Sequence, residues 1–154
     1  MAASLPDRID ADLKAALKAG DKPRLEALRM MKSAVKYRQI EKGGPLSDDE
    51  VLQVFSGLAK KHRESIEQFR KGGREELALK EEAQLAVLKG YMPEELSAEE
   101  LQRLIAQAIT EAGAAGPADL GKVMRVLMPR VKGVADGKTV NEKVKEALSG
   151  LGGR

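Results

Sequence analysis

The sequence predicts an all-α protein, and three observations predict it. Aromatic residues make up only 3% of the 154 residues and Trp is absent, while 42% are apolar, so a core has to be built from Leu, Val, Ile, Ala and Met. That is the composition of packed helices rather than of sheets. Apolar residues recur at spacings of three and four and almost never alternate. The runs they form mostly open on Ser or Asp and close on Gly, the punctuation of helices. The expected architecture is an N-terminal four-helix domain over residues 1–92 and a smaller C-terminal three-helix domain over residues 93–154.

The first helix is expected to start at Ser4 with Asp7 as a capping partner, to carry Ile9, Leu13 and Leu17 inward, and to stop at Gly20. Asp21 caps the second, Pro23 sits in its first turn where a missing N–H costs nothing, and Gly43, Gly44 and Pro45 end it after Lys42. Ser47 with Glu50 forms a capping box for a long third helix, whose Val51, Phe55, Leu58, His62, Ile66 and Phe69 share one stripe up to Gly72 and Gly73. The fourth, from Glu75 to Lys89, places Leu77, Leu85 and Leu88 inside a very acidic exterior.

The stretch GYMPEELS at 90–97 breaks the pattern with Gly90 and Pro93 and marks the domain boundary. Ser97 with Glu100 opens a fifth helix over 98–112, and two more are expected over 120–131 and 138–148. A unit of under about 60 residues is marginal alone, so its core must be efficient. Leu101, Leu104, Ile105, Ile109, Val123, Met124, Leu127, Val131, Val140, Val144 and Leu148 are the residues available to fill it.

Charge is unevenly laid out. Residues 1–73 carry 15 Lys+Arg against 11 Asp+Glu, residues 74–118 carry 4 against 9, and residues 119–154 carry 8 against 4. At about 100° per residue, Leu120, Val123, Met124, Leu127, Met128 and Val131 crowd one side of the sixth helix, and Lys122, Arg125 and Lys132 lie in a sector of about 80° opposite. Gly133 suits the left-handed turn that ends this helix, and Asp136 is placed to cap the next by accepting from the N–H of Thr139. Lys132 and Lys138 then flank a helix start whose exposed N–H groups and positive dipole end suit a phosphate, although Asp136 occupies part of that positive field itself. A secondary basic face, Arg29, Lys32 and Lys36, lies on the second helix, with Glu26 and other acids near in sequence. The plainer reading of both faces is a solvated surface that keeps a small protein soluble.

Catalytic equipment is sparse. There are no cysteines, which excludes disulfides, thiolate metal sites and thiol nucleophiles. Two segments approach a phosphate-binding P-loop. Gly116 to Lys122 has the right gap but is followed by Val123 rather than a hydroxyl residue, while Gly133 to Thr139 has the hydroxyl but is one residue short. Neither follows a hydrophobic strand. The single histidine, His62, lies within an apolar stripe and reads as a hydrogen-bonded structural residue. Adjacent acids such as Glu75-Glu76, Glu81-Glu82 and Glu94-Glu95 diverge by about 100° on a helix and make no carboxylate dyad. No catalytic residue, metal ligand or cofactor is expected.

Three segments carry a family likeness: LRMMKSAVK at 28–36, HRESIEQFRKGGREELALKEEAQLAVLKGYMPEELS at 62–97 and GKVMRVLMPRVKGVADGKTVNEKVKEAL at 121–148. Through them the chain resembles the YqeY-like proteins, whose C-terminal part is also found as the tail domain of the B subunit of glutamine-dependent tRNA amidotransferase and, in similar form, beside some glutaminyl-tRNA synthetases. The resemblance implies an all-α protein with a small three-helix tail domain that contacts the outside of the tRNA fold and takes no part in the chemistry. Carried over, it implicates Lys122, Lys132, Gly133, Asp136, Gly137, Lys138 and Asn141, the lysines meeting phosphates and Gly133, Asp136 and Gly137 shaping the turn. Where the family often has a basic residue after Lys-Gly, this chain has Val134.

The leading expectation is therefore a non-catalytic accessory module related to tRNA-dependent amidotransferase, binding tRNA or other structured RNA by its backbone through Lys122, Arg125, Lys132, Lys138 and Asn141. The alternatives are a protein-interaction module docking on a tRNA synthetase or amidotransferase, and a carbon–nitrogen ligase using glutamine as amido-N donor. The cysteine-free composition, with no apolar run of signal-peptide length and none approaching the ~18 to 20 residues of a membrane span, points to the cytoplasm and away from a membrane partner.

Overall fold

Apolar stripes at helical spacing, closed by caps, make the elements of this chain helices. The computed structural model describes residues 4–152, and among them there are seven α-helices, one short 3₁₀ turn and no strand. They are α1 (Leu5–Ala19), α2 (Lys22–Lys42), α3 (Asp48–Lys71), α4 (Glu75–Lys89), α5 (Ala98–Ala112), α6 (Leu120–Val131) and α7 (Gly137–Gly152), with the 3₁₀ turn at Pro117–Asp119. The chain divides into two compact units that part between Pro93 and Glu94.

In the first unit α4 packs on α3 and α2, and α1 packs on α2 and α3. Each start has a visible cause. Ser4 accepts from the N–H of Asp7, Asp21 accepts from the N–H of Arg24, and Ser47 and Glu50 satisfy each other's backbone donors in a complete capping box. The core is aliphatic apart from Phe55 and Tyr91, whose rings meet edge to face, and includes Ile9, Leu28, Met31, Val51 and Leu88. His62 is buried on α3 with its Nδ1 2.6 Å from Glu81 of α4, so the histidine ties two helices together. All four aromatic residues of the chain, Tyr37, Phe55, Phe69 and Tyr91, belong to this unit.

Leu17 does not turn inward: it is 59% exposed. Its place on the first helix is taken by Ala16, which is buried, so the stripe drifts by one position along a helix that ends at Ala19, before a left-handed Gly20. Of the acidic fourth helix, Ala78, Gln84, Leu85 and Leu88 face the core, while Leu77 is only half-buried.

The second unit is held by one cluster, Leu101, Ile105, Ala108, Val123, Leu127, Val131, Val140, Val144 and Leu148, with Leu104, Ile109 and Met124 packed around it. At about 1.5–3 kcal/mol for each fully buried aliphatic side chain, this cluster is what offsets the chain entropy of so small a unit. Ser97 and Glu100 form a second complete capping box at the start of α5. Two boundaries differ from expectation. The 3₁₀ turn occupies a segment that reads as loop, because Asp119 accepts from the N–H of Ala115 and winds the chain. The last helix continues past Leu148 to Gly152.

Candidate nucleic-acid interface

The basic sector of α6 is set by its apolar one. Val123, Leu127 and Val131 are fully buried, so Lys122 and Arg125, on the far side of the same helix, project into solvent and are exposed. Lys132 caps the helix and is also exposed, with its N–H still bonded to the carbonyl of Met128. Gly133 follows in the left-handed region, φ 81°, which is where an L side chain is strained. Gly137 is outside that region and a Cβ there meets nothing within 4 Å, so its backbone does not require glycine.

The turn is closed by its own hydrogen bonds. The N–H groups of Val134 and Ala135 both bond the carbonyl of Val131 at 3.0 Å, and the carbonyl of Val134 accepts from the N–H of Leu96 at 2.8 Å. Asp136 then accepts from the N–H of Thr139 at 3.2 Å and from its hydroxyl at 3.1 Å, capping α7. Lys138, exposed in the first turn of α7, and Lys132 thus stand on either side of a five-residue connection, while Asn141, one turn further along, is half-buried.

Two carboxylates belong to this face: Asp136, in the turn between Lys132 and Lys138, and Asp119, at the start of α6. Lys122 lies 3.6 Å from Asp119, so the basic sector expected opposite the apolar side is partly offset at this end. The pair is an i, i+3 contact at the helix start, visible in principle from spacing. The N–H of Ala115, and after it the Lys122 ammonium, hold the Asp119 carboxyl below its ordinary value, so Asp119 is an anion throughout the neutral range. Arg130 is likewise engaged, 2.5 Å from Glu111, which raises the guanidinium further. Among the described residues no carboxylate lies within ion-pair distance of Arg125, Lys132 or Lys138.

The secondary face on α2 belongs to the first unit and is differently arranged. Lys32 is bound to Asp10 of α1 at 2.8 Å, a cross-helix partner that sequence spacing does not reveal. Glu26, the acid nearest in sequence, pairs instead with Lys80 of α4 at 3.6 Å. Arg29 and Lys36 are exposed without a carboxylate partner among the described residues.

Among the described residues no group of three or more His, Cys, Asp or Glu side chains is arranged to hold a metal ion. No helix there is long and apolar enough to cross a membrane.

A family model described as Yqey-like protein matches residues 6–148, nearly the whole chain. The chain belongs to the Yqey-like family. Among the relatives of this Yqey-like protein, one from Pyrenophora tritici-repentis is 33% identical over 145 residues, 92% of this chain and 79% of its own length. It is named Altered inheritance of mitochondria protein 41, mitochondrial. A Saccharomyces cerevisiae protein of the same name is 33% identical over 85 residues, and the match spans 54% of this chain but only 46% of that relative. An uncharacterized Schizosaccharomyces pombe protein is 35% identical over 81 residues, 53% of this chain and 66% of its own length. Two of these three names carry the word mitochondrial, which overturns the expectation of a cytoplasmic protein. The inference failed because lack of cysteine reports on redox conditions and does not single out the cytosol.

Proposed function

We propose that the second unit of this Yqey-like protein is a non-catalytic module that holds structured RNA, tRNA above all, by its phosphate backbone. The observation that carries the reading is that Arg125, Lys132 and Lys138, on either side of a turn closed by Gly133 and Asp136, are exposed and without ion-paired carboxylates among the described residues. Lys122 joins them from the same helix face with its charge partly offset by Asp119. The likeness to the amidotransferase tail domain supports the same partner. Recognition is by shape and charge, since the unit has no aromatic side chain on which a base can stack.

Salt dependence tests the reading. Three or four phosphate contacts give a log–log affinity slope of roughly −2 to −4 for tRNA measured by filter binding. The Lys122→Ala, Arg125→Ala, Lys132→Ala triple variant is expected to flatten that slope by about 2 to 3. Asp119→Asn keeps an acceptor for Ala115 but removes the charge beside Lys122, and is expected to tighten binding about 2- to 5-fold. A slope near zero, or one unchanged in the triple variant, would rule the interface out.

A further inference from the structure

The first unit has a helix that is apolar on two opposite sides. One side of α2 supplies Leu28, Met31 and Val35 to the core. The other carries Met30, Tyr37 and Ile40, which are 40%, 68% and 78% exposed. At about 100° per residue these three share a sector of about 80°, and they are half of the six large apolar side chains left exposed among the described residues. Isolated exposed apolar residues need no explanation, whereas three on one helix face form a patch.

Beside that patch runs a basic ridge. Arg29 and Lys36 lie between the apolar sector and a cleft of about 290 Å³ lined by Pro6, Ile9, Asp10, Lys32, Val35 and Gln39 as well as Lys36 itself. Asp10 is spent on Lys32 at 2.8 Å, and no carboxylate among the described residues reaches Arg29 or Lys36. Moving across the helix surface, one meets an apolar-floored cleft, a row of cations, then exposed Ile40, Tyr37 and Met30. A nucleic acid meets the cations and stacks at most on Tyr37, leaving Met30 and Ile40 unused. A ligand that satisfies both the cations and the exposed apolar residues is apolar and anionic, and an amphipathic helix with carboxylates beside its apolar stripe supplies both.

We propose that this face of α2 is a docking surface for an acidic amphipathic helix of a partner protein. The partner's apolar stripe covers Met30, Tyr37 and Ile40, and its carboxylates meet Arg29 and Lys36. The face from Arg29 to Ile40 is about 18 Å long, enough for three turns of a helix laid along it. This surface is independent of the RNA reading of the second unit and survives its failure.

The test uses the whole chain and a synthetic probe, a fluorescent peptide of about 16 residues with Leu at i, i+3, i+4 and i+7 and Glu on both flanks. Its control has the same composition with the leucines scattered around the helix. Fluorescence anisotropy is expected to show the probe binding at least about tenfold more tightly than the control. Ile40→Glu, and separately the Arg29→Glu, Lys36→Glu pair, are each expected to weaken binding about tenfold or more. Both change exposed side chains, and an unaltered thermal midpoint shows that the fold is kept. Amide chemical shifts of the full chain are expected to move along α2. Probe binding no tighter than the control, or unaffected by Ile40→Glu, overturns the proposal. So does a single-stranded RNA oligonucleotide that displaces the probe and itself loses affinity in Ile40→Glu, which makes the face a nucleic-acid surface. Self-association of the wild-type chain that Ile40→Glu abolishes also overturns it, since the occupant is then a second copy.

Discussion

Tyr91 joins a hydrogen bond, a cation–π contact and a ring contact in one side chain. Its hydroxyl donates to Asp12, the Arg8 guanidinium lies 5.3 Å above its ring, and Phe55 meets its edge. Asp12 is in turn 4.0 Å from Arg24, so α1, α2, α3 and the segment after α4 converge on one phenol. Burial, then the hydrogen bond to Asp12 and its negative charge, push the phenol up to about 12, and only Arg24 and Arg8 oppose them. The folded protein therefore keeps a proton that the unfolded chain releases near 10. The stability held by the neutral phenol is complete below pH 10 and is lost as the pH climbs from 10 to about 12. Urea midpoints measured across that window should fall more steeply for the wild type than for Tyr91→Phe. Near neutrality the same variant is expected to be about 1–2 kcal/mol less stable, through loss of the bond to Asp12. Parallel pH curves for the two proteins would show that the phenol is not the responsible group.

At the scale of helices, side chains at the starts matter most. The reciprocal bonds of Ser97 and Glu100 at the head of α5 satisfy two donors that the helix cannot satisfy itself. Ser97→Ala is expected to cost about 1 kcal/mol, read by calorimetry, with the first-turn amides of α5 exchanging faster. These same signals made the helices legible: Asp21 before α2 with Pro23 in its first turn, Ser47 before α3 with Glu50 in its first turn, and Ser97 before α5 each act locally, so sequence alone announces them. What depends on a distant neighbour was not legible. Leu17 obeys the spacing yet stays in solvent, because which helix lies opposite is a tertiary fact. Lys32 looks like one of a basic trio until α1 brings Asp10 beside it. The 3₁₀ turn and the Asp119–Lys122 pair are different, since Asp119 meets Ala115 and Lys122 only three to four residues away, within reach of spacing alone. Asp136 is of the same kind, since the acceptor and the Thr139 amide it caps lie three residues apart.

For the molecule as a whole, each unit has a core of its own, and the residues 94–154 cluster is closed without help from residues before Leu96. A fragment of residues 94–154 is therefore expected to fold alone, with slow amide exchange at Val123, Leu127 and Val144. It is also expected to bind tRNA with the salt slope of the full chain. Uniformly fast exchange in the fragment would mean that the two units stand only together. The placement of every Phe and Tyr in the first unit has an optical consequence. The second unit contains no chromophore above the peptide band, so intrinsic tyrosine emission reports on the first unit alone while far-ultraviolet ellipticity reports on both. Comparing the two signals along one denaturation curve resolves the melting of each half without a dye or a mutation.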